Sequence, residues 1–308
     1  MSTSLIGILT YRRLHALKTM LSGIDKHCPQ YSCVVSEDCG NRDSTEDFMR
    51  AGRMPVPRND LMADLYETPE VRPMNANDET PANYPNVKML LGHRNLGVAK
   101  NSNKIIKYFM DGPWDHLCLC NDDLNVKGDF VKFYAQAHKD LGVGLLCFTD
   151  FAYDESYKWT TYKWRGYGIK FMPRFIGIMM SFSRELLEKV GYFDPEFGQF
   201  GEDHSDMTIR SRFAGGIRIE GQDMNCLDVE HELLSHQDVE TSVVGPERKR
   251  ANTEASKVMQ RAAFEYKMRH YHRPYHLNYP VMASGYYGAG IPCRQLEQIG
   301  YKLAVSLV

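Results

Sequence analysis

The chain has 308 residues and a formal net charge of -2, which excludes a grossly basic nucleic-acid binder while leaving room for a local basic patch. Hydrophobic residues make up 43% and charged residues 25%, a profile that excludes a disordered chain and fits one large or two ordinary globular domains. No apolar run approaches the ~20 residues of a membrane span, so no transmembrane segment is expected. The start, Met1 to Leu9, lacks a basic leader and runs straight into a strand-like stretch, so it is not read as a signal peptide. The cysteines are scattered, with no Cys-x-x-Cys set, and several fall on apolar runs. Reduced, buried thiols in a cytoplasmic protein are therefore expected rather than zinc or disulfides.

Taken in order, Leu5 to Leu9 predicts a strand covered on both faces. Thr10, Tyr11, Arg12 and Arg13 follow, then a helix with Leu14, Leu17, Leu21 and Ile24 on one face. Tyr31 to Ser36 predicts a second strand ending in acids, Glu37 and Asp38. Two strands joined by a helix of this length predict parallel pairing. From Met54 to Pro85 six prolines and no lasting period predict a long excursion from the sheet. Val87 to Leu91 predicts a third strand. Asn95 and Gly97 open a helix to about Met110, whose positive end, with Arg94, can receive a phosphate or a ribose hydroxyl; an ordinary strand-to-helix turn reads the same way.

The stretch His116 to Cys120, followed by Asn121, Asp122 and Asp123, is the most informative. A short apolar run ending abruptly in carboxylates predicts a buried strand that delivers acids to the ligand-binding edge of an open sheet. Adjacent carboxylates repel unless a cation or proton lies between them, so either a divalent metal holding a substrate's phosphates or a helix-capping turn accounts for them. Val143 to Phe148 predicts another core strand. The aromatic stretch Tyr153 to Tyr167 predicts a platform for a sugar or base, or packing under a loop. Ser183 and Gly191 cap a further helix. A basic, partly helical segment follows Pro246.

In this order the motifs resemble the family 2 glycosyltransferases of the GT-A fold over roughly residues 4 to 236. The resemblance implies an α/β architecture: one Rossmann-like, mostly parallel sheet flanked by helices, over 1–240, with a proline-rich insertion at 54–86 and a helical C-terminal extension at 241–308. It assigns the donor side to Thr10, Tyr11, Arg13, Asp38, Arg94, Asn95, Gly97, Asn103 and Asp122, with Asp38 on the base of a UDP-sugar. It implies Mn²⁺ or Mg²⁺ on Asp123 and His231, with His236 as a rival ligand. Gly201, Glu202 and Asp203 match its Glu-Asp element, and Asp203, or else Glu202, is the expected base of an inverting transfer. The spacing here is Glu-Asp-x-x-Asp rather than the commoner Glu-Asp-x-Asp. The acceptor stays open between a glycan, a protein and a hydroxylated base in DNA, the last resting on the basic-aromatic C-terminal segment. Two other classes stay in view: a catalytically silent nucleotide-sugar-binding module, and a nucleotidyltransferase, which would want a Gly-rich loop after the first strand.

Overall fold

The computed structural model describes residues 3–11, 13–37, 72–73, 87–91, 97–148, 163–171, 178–193, 203–219, 222–223, 227–229 and 232–237. The C-terminal extension and nearly all of the proline-rich insertion lie outside these residues.

The apolar run Ser4–Thr10 forms β1, and α1 (Leu14–His27) buries Leu17, Met20, Leu21 and Ile24, the face its spacing predicts. β2 (Ser32–Glu37) lies parallel to β1, completing the expected βαβ unit. Of the insertion, β3 (Arg72–Pro73) returns as an antiparallel edge strand on β4 (Val87–Leu91). Helix α2 (Val98–Asp111) starts after Gly97, whose φ of 87° suits a residue without a Cβ. It packs so closely on β1 that a Cβ on Gly7 would meet Ile105 at 2.4 Å.

β5 (His116–Asn121) pairs parallel to β1 on its other side. A small second sheet follows, in which β6 (Leu124–Val126) pairs with a strand more than a hundred residues downstream. Helix α3 (Phe130–Leu141) carries an Asp129 N-cap and leads to β7 (Leu145–Phe148). The hairpin β8 (Lys163–Trp164) and β9 (Tyr167–Phe171) lays Trp164 and Tyr167 against Phe133, with the indole N–H on Asp140. These two aromatics are therefore packing; the rest of the aromatic stretch lies outside the described residues. β10 (Met179–Ser183) runs antiparallel between β5 and β7 and passes directly into α4 (Arg184–Val190), capped by Ser183 and ended at Gly191 as expected. After α5 (Asp203–Phe213) come the short β11 (Arg218–Ile219) and β12 (Gln222–Asp223), then β13 (Leu227–Val229) and β14 (Leu234–His236).

Among the described residues the main sheet has the order β3-β4-β2-β1-β5-β10-β7-β13-β9-β8. Its parallel core is β4-β2-β1-β5, and the flanking helices make the fold the expected α/β type. No helix among these residues is long and apolar enough to cross a membrane. Cys28, Cys33, Cys118, Cys120 and Cys147 are buried free thiols, the last four on β2, β5 and β7.

Buried and half-buried polar side chains hold the layers in register. Arg184 donates to the carbonyls of Phe109, Met110, Gly112 and Trp114 and lies over the Phe109 ring, satisfying the open C-terminal end of α2. Ser181, on the strand between β5 and β7, joins two buried imidazoles at 2.7 Å (His116 Nε2) and 2.8 Å (His138 Nε2). His138 Nδ1 lies 2.7 Å from the carbonyl of Val143 and must carry its proton there, so Ser181 donates to His138 and accepts from His116. Burial pushes His138 down to about 4; it also holds His116 well below its usual range, with His138 adding to the effect.

Both folded-state values lie below the unfolded one near 6.5. The stability from this neutral pair is therefore full above pH 6.5 and is lost as the pH falls towards 4, because the unfolded chain takes up protons that the folded one refuses. In urea titrations across pH 4–7, His138→Gln should lose less stability on the acid side than the wild type. The difference should reach a few kcal/mol, since each tenfold difference in proton affinity between the folded and unfolded imidazole is worth about 1.4 kcal/mol. Parallel acid profiles would refute it.

Candidate active site

Four parallel strands end on one edge, and the turn after β5 places Asp122 and Asp123 there beside the end of β1, where Leu9 pairs with Asn121. The side chain of Asp122 is fully buried, and Asp123 is 5% exposed. Two carboxylates so placed need compensation, and the β1–α1 turn supplies it. Thr10 Oγ1 donates to Asp122 Oδ2 at 2.7 Å. Arg13 forks across the pair, with Nη1 on Asp123 Oδ2 at 2.6 Å and Nη2 on Asp122 Oδ1. Burial pushes Asp122 up to about 7; Arg13 and Thr10 pull it down, and Asp123 pushes it up again. Burial pulls the Arg13 guanidinium down, yet the two carboxylates outweigh it and leave Arg13 raised.

The small second sheet completes the turn. β14 pairs antiparallel with β6, setting His236 opposite Leu124. His236 Nε2 then stands 3.4 Å from Asp123 Oδ2. Gln237 donates its backbone N–H to the carbonyl of Asp123 at 2.7 Å. Its Nε2 reaches the carbonyls of Leu124 (2.8 Å), Ala16 (3.1 Å) and Asp122 (3.3 Å), tying the acid turn to α1.

These residues suit a hard divalent cation. Asp123 Oδ1 is buried with no hydrogen-bond partner among the described residues. Two donors about 2.1 Å from one ion at roughly a right angle stand about 3 Å apart, close to the separation of Asp123 Oδ2 and His236. Among the described residues no three His, Cys, Asp or Glu side chains converge, and Asp123 and His236 are the two that could hold such an ion there. Of the two candidate histidines, His236 stands beside Asp123, and His231, the expected ligand, lies outside the described residues.

Asp203 opens α5 and is 2% exposed. The same helix is anchored by a buried ion pair, Arg210 to Asp206 at 2.7 Å, and Arg210 also donates to the carbonyls of Val190 (2.5 Å) and Tyr192 (2.8 Å). Asn103, expected at the donor, spends both ends of its amide on the backbone of Phe193, each at 2.8 Å. Phe193 in turn touches His204, so Asn103 serves the frame that links α2 to α5. Thr10, Tyr11, Arg13 and Gly97 lie at the carboxyl edge or on the turns leaving it; Asp38, Arg94, Asn95 and Glu202 lie outside the described residues. A cavity of about 410 Å³ opens at the opposite edge, lined by residues including Asp115, His116 and Glu185, and is no part of this site.

Gln237 had no signal in the sequence, since nothing local marks a glutamine that bonds across more than a hundred residues. The fold nonetheless has relatives in form. No family model matches the chain, and no curated protein does. Among solved structures it is similar to the mannosyltransferase PcManGT from Pyrobaculum calidifontis, in complex with GDP-Man and Mn²⁺, at 16% identity and a TM-score of 0.51, over 99% of this chain and 74% of that one. It is also similar to GalNAc-T7 with UDP, GalNAc and Mn²⁺, at 14% identity and a TM-score of 0.52, over 97% of this chain and 55% of that one. At these identities the likeness is one of fold, and the fold is GT-A.

The Gln237 clamp is testable. Gln237→Ala leaves three buried carbonyls short of a donor and should destabilise the chain by about 1–3 kcal/mol in urea denaturation. A loss below ~0.5 kcal/mol would show that the clamp carries nothing.

Proposed function

We propose that this GT-A-fold chain is a divalent-metal-dependent, inverting glycosyltransferase that moves a sugar from a nucleotide-sugar donor, a UDP-sugar in the first instance, to a hydroxyl acceptor. The observation that carries the reading is the buried acid turn at the carboxyl edge of a parallel sheet, with Asp123 facing His236 and its Oδ1 without a hydrogen-bond partner among the described residues. An open α/β sheet binds its ligand at that edge.

In this reading Asp123 and His236 hold Mn²⁺ or Mg²⁺, which when bound neutralises charge on the departing nucleoside diphosphate. Arg13 and the turn through Thr10 and Tyr11 orient the diphosphate, and Asp38 reads the base. Asp203 accepts the proton of the acceptor hydroxyl as that oxygen bonds to the anomeric carbon. The bond from that carbon to the diphosphate breaks, and the nucleotide leaves with the electron pair. In this reading the acceptor oxygen itself displaces the diphosphate in a single step, which inverts the anomeric carbon. Glu202 is the alternative base.

The alternative acceptor, a hydroxylated base in DNA, rests on the basic residues Arg248, Lys249, Arg250, Lys257, Arg261 and Arg269. It is read out by whether retention on DNA falls steeply with salt.

Asp123→Ala should abolish Mn²⁺-dependent UDP binding in calorimetry; unchanged affinity and unchanged Mn²⁺ dependence would remove the assignment. Asp203→Asn keeps the size of the side chain and removes its basicity. Turnover with a donor and acceptor panel should then fall by ~10²–10⁴ while donor binding survives. Normal turnover in that variant, together with loss in Glu202→Gln, would move the base one position upstream.

A further inference from the structure

The cation site described above already holds a cation of the chain's own. Arg13 places Nη1 on Asp123 Oδ2, the same oxygen that His236 approaches, and Nη2 on Asp122. A guanidinium and a divalent ion cannot share that oxygen closely, because like charges a few ångströms apart in a partly buried site repel by several kcal/mol. One must yield. Asp122 is fully buried and keeps the Thr10 hydroxyl as a second partner, whereas Asp123 has His236 beside it and an Oδ1 with no hydrogen-bond partner among the described residues. The half of the fork that can be released is therefore the one on Asp123.

The guanidinium is also free to go somewhere. Its side chain is 19% exposed and springs from the residue before the first turn of α1, immediately after the strand edge where a diphosphate would lie. A planar guanidinium meets two phosphate oxygens as well as it meets two carboxylate oxygens. Without a diphosphate, leaving Asp123 would strip a buried carboxylate of its cation and offer Arg13 only water. With one, each charge finds a new partner.

We propose that Arg13 is a gate on the metal site. It neutralises Asp122 and Asp123 in the resting chain and releases Asp123 when a nucleoside diphosphate takes its guanidinium, so metal capture depends on the donor. The inference rests on the metal-and-nucleotide reading above and adds an order to it. By linkage, whatever the nucleotide does for metal affinity the metal does for nucleotide affinity.

The test is Mn²⁺ binding to the full chain, read by the electron paramagnetic resonance of free Mn²⁺, with and without saturating UDP. In the wild type UDP should tighten Mn²⁺ binding at least about tenfold. In Arg13→Ala, Mn²⁺ alone should bind at least about tenfold tighter than it does to the wild type, and the enhancement by UDP should shrink several-fold. Arg13→Lys keeps the charge but loses the two-pronged contact, so it serves if the alanine variant fails to fold, and its Mn²⁺ affinity should lie between the other two. Circular dichroism melts report folding. Equal Mn²⁺ affinity in the wild type and the variants, with UDP enhancing all of them alike, overturns the gate and leaves the metal-and-nucleotide reading intact. Weaker Mn²⁺ binding in the variants would make Arg13 a support of the ligand geometry and also overturn the gate. No Mn²⁺ binding to any form, with or without UDP, removes the underlying reading and the gate with it.

Discussion

Two carboxylates in consecutive positions at the end of a buried strand repel each other and lose their hydration together, and the arrangement around them follows from that cost. The β1–α1 turn has to supply a cation and a hydroxyl donor, which are Arg13 and Thr10. The segment after β13 has to fold back and hold the acid turn from the other side, which it does through His236 and Gln237. Three pieces of chain far apart in sequence are thereby committed to one point. Loss of any one leaves a buried charge or a buried carbonyl without its partner, which costs more than the contact gains when made.

The same economy runs through the frame. Arg184 closes the end of α2, Arg210 ties α5 to the chain after α4, Asn103 links α2 to Phe193, and Ser181 joins α3 to β5. Each is a polar group, buried or, for Arg184, half-buried, whose hydrogen bonds cross between elements rather than staying within one. Satisfied networks of this kind specify a single arrangement, since any slip would leave several polar atoms unpaired at once. That rigidity matters for the site. The proposed base on α5 and the acid turn after β5 sit on separate elements, and a stiff frame is what would keep such groups at a constant distance from one substrate.

Much of this is legible in the residues alone, for identifiable reasons. The runs Leu5 to Leu9 and His116 to Cys120 read as doubly covered strands because continuous apolar residues have no solvent face to alternate with. The helix after Ser183 is bounded at both ends by its capping residues. The acid turn stands out because carboxylates rarely follow an apolar run without a purpose, and Arg13 is marked beside Thr10 and Tyr11 even before its contact with the acids is visible. Asn103 goes the other way: its place in a motif suggests the donor, while its amide proves to be occupied by the backbone of Phe193. Trp164 and Tyr167 likewise prove to be packing on Phe133.

The sequence by itself determined the alternation of strands and helices, the parallel sense of the first sheet strands, and the edge at which acids emerge. All of these are set by the local periodicity of apolar residues and the length of the connections between them. That His236 faces Asp123 was decided only by tertiary structure. β6 and β14 are three residues long and carry no pattern of their own. Strands so short pair only because the surrounding core brings them together, so the register that sets His236 opposite Leu124, and Gln237 beneath the acid turn, is a property of the closed fold and is not written in either segment.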